Sequence, residues 1–207
     1  MKPKASTMAQ RFGFADPDLT TPEHDALLLW LDKNVETFLR AKLATVKQTA
    51  YTVRYFAGYP RREKIESLTP EQEEQLAKFP LGETKWEFRK TWECPILDKN
   101  YTIGFCDMMV NVTRQARNAD ALFEGSSLSF ESVYSEDRIW FEVKPKIPSL
   151  GELVRQLNMY RTYTPMERWF VVSPDTRWCE HLKAQGFGFI AYGDEVDSDS
   201  DDDLPGF

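Results

Sequence analysis

The sequence predicts a mixed α/β fold in which helices cover a central sheet. Apolar residues recur at helical spacing over residues 22–45, and the period changes to two from Thr84 onward. After residue 148, helical and extended patterns alternate. The predicted order is therefore helix, three strands, helix, strand, helix and strand. We expect these elements to form a single domain at residues 22–192.

The first part of the chain begins with an arm and a long helix. Residues 1–21, rich in Pro, Asp, Thr and Gly, are predicted to form an N-terminal arm. Thr21-Pro22-Glu23 is a helix start signal, with Thr21 as N-cap and Pro22 at the first helical position. The apolar positions expected to face the core are Leu27, Leu28, Leu31, Val35, Phe38, Leu39 and Leu43.

Shorter elements follow this helix. Residues 50–57 predict a short strand, and residues 58–62 break it. A second, polar helix is predicted from Thr69 to about Lys78, because Pro70 and Glu71 follow Thr69 as they would follow an N-cap.

Three segments rich in aromatic and β-branched residues predict neighbouring strands. They span residues 85–93, 101–113 and 138–144. Residues 114–137 between the last two are interpreted as a long excursion or an irregular hairpin. Ser149 and Glu152 then have capping-box spacing and open a helix to about Tyr163.

The end of the predicted domain contains two more strands and a short helix. Residues 169–173 and 187–192 are the strands, and Asp175 is expected to cap the helix, which stops at Gly186. Residues 193–207 have too few apolar groups to pack, so we expect a disordered acidic tail.

The formal net charge of −7 belongs to this tail. Residues 193–207 contain seven acids and no base, which leaves 26 acids and 26 bases in residues 1–192. A nucleic-acid-binding surface on the neutral body must therefore be local. The content of 42% hydrophobic and 14% aromatic residues excludes wholesale disorder.

Several classes of protein are disfavoured. The three cysteines Cys94, Cys106 and Cys179 lack C-x-x-C spacing, which argues against a disulfide framework, a zinc ribbon or an iron–sulfur cluster. We interpret His24 and His181 as ordinary surface or half-buried residues, which disfavours acyl-transfer chemistry. The longest apolar run, residues 26–31, is far shorter than the ~20 residues of a membrane span. With no secretory signal visible, we expect a cytoplasmic protein without a membrane partner.

Charged residues interrupt the apolar strands at two places. On residues 139–144, Trp140, Glu142 and Lys144 face one way and the alternate residues face the other. Asp107 lies in the preceding strand, and buried charges are costly unless they pair or bind a metal. Two carboxylates on adjacent strands can hold a hard cation such as Mg²⁺. A chance salt bridge at a strand end is the alternative.

These residues resemble the core of the PD-(D/E)XK nuclease superfamily. Asp107 is followed by Glu142-Val143-Lys144 on the next strand and then by a helix, as in that core. Gly104-Phe105-Cys106-Asp107 resembles the G-x-x-D motif of the RecB-like branch, and Gln156 with Tyr160 resembles its Q-x-x-x-Y motif. Gln156 and Tyr160 share one helical face, and an ordinary amphipathic helix is the alternative for them. The resemblance implies a restriction-endonuclease-like mixed central sheet flanked by helices.

The sequence departs from the family pattern in three ways. Glu142 stands where the RecB-like branch usually has aspartate, and no proline precedes Asp107. The 35 positions between Asp107 and Glu142 are also a long gap, which we attribute to residues 114–137. None of these differences removes an expected metal ligand.

The resemblance implies a Mg²⁺-dependent DNA nuclease in phage or mobile-element DNA processing, recombination or defence, with Mn²⁺ expected to substitute. Asp107, Glu142 and the carbonyl of Val143 would hold the metal, and Lys144 would position the attacking water or offset charge in the transition state. Gln156 and Tyr160 would buttress the site or touch the phosphate backbone. The candidates for a further acidic ligand are Glu36 and Asp32 on the first helix, with Glu87 as a weaker alternative.

DNA is the expected partner, and five basic residues are candidates to contact it. They are Arg114, Arg117, Lys146, Arg155 and Arg161, although a solvated basic face is the alternative. Binding should weaken as salt rises. A catalytically silent nucleic-acid-binding or adaptor protein is the alternative function. The sequence leaves open whether the protein forms a homodimer and whether cleavage is endo- or exonucleolytic.

The C-terminal tip resembles that of bacterial single-stranded-DNA-binding proteins. The residues that carry the resemblance are Asp201, Asp202, Asp203, Leu204, Pro205 and Phe207, with Gly206 as an extra residue. The resemblance implies docking to replication or recombination proteins. A purely solubilising tail and a tail that restrains the enzyme by occupying its own basic cleft are the alternatives.

Overall fold

The computed structural model describes residues 21–43 and 47–193. Within these ranges it contains four α-helices, a 3₁₀ turn and seven strands. The predictions for the arm before Thr21 and for the acidic tail after Gly193 lie outside the described residues. None of the helices in the described ranges is long and apolar enough to cross a membrane.

The described chain divides into two compact units. The first unit consists of residues 21–43, 88–111 and 137–193, and the second consists of residues 47–87 and 112–136. The single domain expected at residues 22–192 stays a prediction.

Helix α1 (Pro22–Lys42) in the first unit forms as the sequence predicts. The Thr21 side chain accepts a hydrogen bond from the backbone N–H of His24 at 3.2 Å, and Pro22 occupies the first turn. All seven apolar residues expected to face the core are buried. The helix is one turn shorter than predicted, with Leu43 as its C-cap.

The strands form one mixed sheet. Their bounds are Thr49–Phe56 (β1), Tyr59–Lys64 (β2), Thr84–Asp98 (β3), Tyr101–Glu124 (β4), Ser127–Val143 (β5), Arg168–Ser173 (β6) and Gly188–Ala191 (β7). The strand order is β2-β1-β4-β5-β6-β7, and β3 pairs with β4. Strand β1 is antiparallel to β2 and parallel to β4, and β6 is parallel to both β5 and β7.

Helices cover both faces of the sheet in the first unit. Helix α3 (Leu150–Tyr163) begins at Ser149, whose hydroxyl accepts from the N–H of Glu152 at 3.3 Å, as predicted. It packs its buried residues into the same core cluster as Trp140. On α1, Phe38 meets Phe170 edge to face, and Phe170 stacks on Phe141. Trp140 and Phe141 are consecutive in a strand and point to opposite faces. The predicted α/β sheet flanked by helices is confirmed.

The short helix before the last strand differs from the prediction. Thr176–Trp178 forms a 3₁₀ turn and Cys179–Ala184 forms α4. Asp175 occupies the N-cap position of the 3₁₀ turn, but its side chain makes no capping hydrogen bond. Its carboxylate accepts two hydrogen bonds from Arg177 at 2.7 Å instead. Gly186, at a φ of 79°, lies between α4 and the last strand.

In the second unit, the predicted break at residues 58–62 is wrong. Ala57 and Gly58 form a two-residue turn with φ values of 50° and 82°, and the chain returns as β2. Pro60 and the charged residues around it disfavour a central strand, but an edge strand tolerates them. Helix α2 (Pro70–Ala77) forms as predicted, with a capping box between Thr69 and Gln72.

Of the two interpretations of residues 114–137, the hairpin is confirmed, but its expected irregularity is wrong. These residues continue β4 and β5 on either side of the turn at residues 125–126. Ala121 and Phe123 from this hairpin form a core cluster with Ala50. The hairpin accounts for most of the long gap between Asp107 and Glu142.

Candidate active site

Asp107 on β4 is the centre of a buried polar cluster in the first unit. Its side chain is buried, and its Oδ1 lies 3.1 Å from Nε2 of His24 on α1. Its Oδ2 accepts a hydrogen bond from the backbone N–H of Val143 at 2.6 Å. One carboxylate therefore joins α1, β4 and β5.

Glu142 and Lys144 complete the charged part of the cluster. Their side chains share one face of the end of β5, and Nζ of Lys144 lies 3.1 Å from Oε1 of Glu142. Gln156 on α3 donates one hydrogen bond to the same Oε1 at 3.1 Å and another to the Tyr160 hydroxyl at 3.0 Å. Glu142 and Lys144 are 2% and 7% exposed, so partners of this kind are needed to offset their lost hydration. We call His24, Asp107, Glu142, Lys144, Gln156 and Tyr160 the buried polar cluster.

Gly104 allows the G-x-x-D segment on β4 to contact the Q-x-x-x-Y segment on α3. A Cβ atom at Gly104 would lie 2.6 Å from Cε1 and 2.7 Å from the hydroxyl oxygen of Tyr160. Only glycine therefore allows the Tyr160 ring to lie against β4. Burial, followed by the negative charge of Glu142, raises the pKa of Tyr160, so its hydroxyl stays protonated at neutral pH.

The expectation that His24 is an ordinary surface or half-buried residue is wrong. His24 is completely buried, and burial is the largest single influence, which lowers its pKa. The hydrogen bond and the charge of Asp107 act in the opposite direction, and the pKa of His24 is raised overall. A signal was present in the sequence: His24 is three and four positions before Leu27 and Leu28, on the apolar stripe of α1.

Glu93 on β3 is a second residue that the sequence analysis missed. Its Oε1 is buried and has no hydrogen-bond partner in the described part of the chain. Burial, with a contribution from the charge of Asp107, raises the pKa of Glu93 to about 7. Its φ of 46° is in the left-handed region, which costs a non-glycine residue on the order of 1 kcal/mol. A strand pattern gives no sign of such a backbone, so no sequence signal marked Glu93.

The donor chemistry of the cluster is suited to a magnesium ion. Among residues 21–43 and 47–193, no group of three or more His, Cys, Asp and Glu side chains is arranged to hold a metal. Mg²⁺ usually keeps several waters and takes only one or two protein carboxylates, and Asp107 and Glu142 are ligands of that type. Asp107 and Glu142 therefore fit Mg²⁺ in ligand type.

The acids predicted on α1 pair with a lysine of β3. Lys90 lies 3.0 Å from Oε1 of Glu36 and 3.7 Å from Oδ1 of Asp32, so both acids of α1 face this lysine. Glu87 belongs to the second unit. The role of Glu36 as a metal ligand stays a prediction.

The five basic residues predicted to contact DNA are distributed between the two units. Arg114 and Arg117 are in the second unit, where Arg114 lies over the Trp86 ring. On α3, Arg161 donates to Asn158 and to the carbonyl of Gln185, and exposed Arg155 lies 4.0 Å from Glu152.

Lys146 lines a cleft next to the buried polar cluster. The cleft has a volume of about 160 Å³, and its lining residues are Lys144, Lys146, Ile147, Pro148, Ser149, Glu152, Leu153 and Gln156. A cavity of about 150 Å³ can hold a benzene molecule, so this cleft has room for a group of that size. Lys144 and Gln156 belong to both the cleft and the cluster, so a bound group would contact cluster residues directly.

Comparison with known proteins finds no matching family model, no similar curated protein and no similar solved structure.

Proposed function

We propose that the protein is a metal-dependent nuclease that hydrolyses phosphodiester bonds in DNA, on a restriction-endonuclease-like fold. The observation that carries the proposal is the buried contact of Glu142 with Lys144 and Gln156. Asp107 is tied to the same strand through the N–H of Val143. Two carboxylates, an amine and an amide thus come together from three separate elements.

Asp107 and Glu142, with the carbonyl of Val143, are the residues that would hold Mg²⁺. When bound, the ion would polarise the scissile phosphate and lower the pKa of an attacking water. Lys144 would offset the charge that develops on the phosphoryl oxygens in the transition state. Because Lys144 is buried and lies 3.1 Å from Glu142, its amine is already oriented before substrate binds.

The neighbouring side chains act as positioning residues. Gln156 holds the Glu142 carboxylate, and Tyr160 accepts the second hydrogen bond from the same amide nitrogen. His24 holds the Asp107 carboxylate from the side of α1. Lys146, in the cleft that Lys144 also lines, is well placed to meet a phosphate of the strand being cut.

Cleavage of single-stranded, duplex and branched DNA in Mg²⁺, Mn²⁺ or EDTA tests the proposal. The wild-type protein should cut at least one of these substrates only when metal is present. Glu142→Ala and Lys144→Ala should lose about a hundredfold or more in rate, as removal of a group that stabilises transition-state charge does. Glu180→Ala is the matched control, since this exposed glutamate is on α4 and pairs with Lys183.

Two outcomes would contradict the proposal. Equal cleavage by the wild type, Glu142→Ala and Lys144→Ala would mean that a contaminant cuts the DNA or that the site is elsewhere. DNA binding without cleavage in any metal would favour a catalytically silent nucleic-acid-binding or adaptor protein.

A further inference from the structure

The β1–β2 hairpin of the second unit is exposed from Arg54 to its far end. Every residue from Arg54 to Lys64 is exposed, including Phe56 at 69% and Tyr59 at 77%. Large aromatic side chains are usually buried, and a two-stranded hairpin without a buried face is marginally stable in water. Burial in a core therefore does not account for the aromatic side chains at this place. We call residues 54–61 the hairpin tip.

The register of the hairpin sorts these residues onto two faces. Phe56 is opposite Tyr59, and Arg54 is opposite Arg61. Side chains of directly paired residues lie on the same face, and alternate residues of a strand do so too. One face of the tip therefore carries two aromatic rings followed by two arginines. The Arg61 guanidinium carbon lies 5.4 Å from the centre of the Phe56 ring, as this arrangement requires.

The turn fixes this arrangement. Ala57 and Gly58 both have positive φ values, of 50° and 82°, which is the pattern of a two-residue hairpin turn. The turn type and loop length set the pairing register. Phe56 and Tyr59 are consequently held side by side at the end of the hairpin, before any partner binds.

The charges of this face favour an anionic partner. Like charges directly opposite each other destabilise a strand pair, and Arg54 and Arg61 are such a pair. Glu63 lies 3.6 Å from Arg54, and solvent weakens this exposed ion pair as it weakens the repulsion between the two exposed arginines. An anion between the two guanidinium groups would remove their repulsion. Protection of an edge strand explains Pro60 and the arginines, but it does not explain two exposed rings.

We propose that this face of the hairpin tip binds single-stranded nucleic acid. Bases would stack on Phe56 and Tyr59, and the flanking phosphates would pair with Arg54 and Arg61. The face combines stacking platforms with positive charge, which is what sequence-tolerant binding of single strands requires. The inference rests on the proposed function only for whether the bound strand is then cleaved, because binding itself needs no catalysis.

Binding of fluorescent oligo(dT) and oligo(rU) in EDTA tests the inference without cleavage. Strands of about 20 nucleotides are longer than the usual site size of a single-strand-binding fold. Phe56→Ala and Tyr59→Ala should each weaken binding of oligo(dT) by about tenfold. Arg54→Ala with Arg61→Ala should also make the salt dependence shallower, by about 1.4 in the slope of log K against log salt. The oligo(rU) arm distinguishes RNA from DNA as the strand.

Two exposed residues on other strands and helices serve as controls. Tyr134 is 64% exposed on β5, and the Lys78 side chain is 61% exposed after α2. Tyr134→Ala and Lys78→Ala should leave binding of oligo(dT) within about twofold of the wild type, because exposed residues outside the tip should not matter. Circular dichroism of each variant checks that the sheet is intact.

Each possible result decides one of the two proposals. Wild-type affinity in Phe56→Ala and Tyr59→Ala would overturn the hairpin inference, even if the wild type cleaves DNA. Loss of binding in these variants, with no cleavage by the wild type in Mg²⁺, would support the inference and contradict the nuclease. Tip-dependent binding to phosphatidylserine vesicles with no binding to either oligonucleotide would identify a membrane surface as the partner and overturn the inference.

Discussion

The buried polar cluster and the hairpin tip are opposite exceptions to the usual rule that charged side chains are exposed and aromatic side chains are buried. The cluster removes Asp107, Glu142 and Lys144 from water, whereas the tip leaves Phe56 and Tyr59 in water. The buried charges depend on one another, so the cluster is coupled to the stability of the first unit. The exposed rings bury little, so the tip contributes little to the stability of the second unit. In both places residues stand where burial alone does not explain them, and a bound ligand is what we propose for each place.

The largest expected effect comes from breaking the ion pair inside the cluster. Lys144→Ala leaves the Glu142 carboxylate buried without its 3.1 Å contact to an amine, and should lower the free energy of unfolding by about 3–5 kcal/mol. Urea denaturation measures this loss. The double variant Glu142→Gln with Lys144→Met removes both charges and should recover part of it. A change below about 0.5 kcal/mol in Lys144→Ala would show that the pair is solvated.

A smaller loss is expected where β4 meets the Tyr160 ring. Gly104→Ala puts a Cβ atom 2.6 Å from Cε1 of Tyr160, and such overpacking should cost about 1–3 kcal/mol of unfolding free energy. Gly151→Ala is the control, because no atom lies within 4 Å of a Cβ at that position. Alanine there should be neutral or stabilising, since it favours the helix. Equal stability of the two variants would contradict the close approach of Tyr160 to β4.

The third effect depends on pH and concerns Glu93. Its pKa is raised from 4.5 to about 7 in the folded protein, so the folded state binds the proton more tightly than the unfolded state does. Wild-type stability should therefore fall as pH rises from about 4.5 to about 7. Glu93→Gln removes the ionisable carboxyl and with it this pH-dependent loss of stability. The variant should therefore be more stable than the wild type at about pH 8 and should match it below about pH 4.5. Urea midpoints across this range measure the difference, and a variant that is less stable at about pH 8 would contradict the assignment.

The smallest effect should come from the hairpin tip. Phe56→Ala and Tyr59→Ala remove rings that are 69% and 77% exposed, and substitutions of this kind usually change stability by less than about 0.5 kcal/mol. Their urea midpoints should stay at the wild-type value while binding of oligo(dT) falls. A loss of more than about 1 kcal/mol would mean that the rings stabilise the second unit. The tip would then contribute to stability as the cluster does, which would contradict the comparison.

The fold could be predicted where local signals and burial agree. Helix α1 has both a start signal at Thr21 and a continuous apolar stripe, and helix α3 has Ser149 as a capping residue, so both appear close to their predicted positions. Strand β2 could not be found in this way, and the hairpin at residues 114–137 could be expected only in irregular form. Their charged and small residues have low strand propensity, and tertiary pairing overrides that preference.

The part of the candidate site that stands in short sequence motifs could be predicted. Glu142, Lys144, Gln156 and Tyr160 stand in short motifs, and the structure brings them into contact. His24 stands in no motif, and only its position on the apolar stripe of α1 indicates that it is buried.

Glu93 shows where inference from sequence ends. Its importance depends on a left-handed backbone and on the nearby charge of Asp107, which only the folded chain brings to it.

The most direct test of the account is the Mg²⁺-dependent rate of DNA cleavage by Glu142→Gln, compared with the wild type at equal folded fraction. The substitution keeps the shape of the side chain and removes its charge, so it separates a catalytic carboxylate from a structural one. If the cluster is the catalytic site, the rate should fall by about a hundredfold or more, with the folded fraction checked by circular dichroism. Cleavage by Glu142→Gln at the wild-type rate would contradict the account.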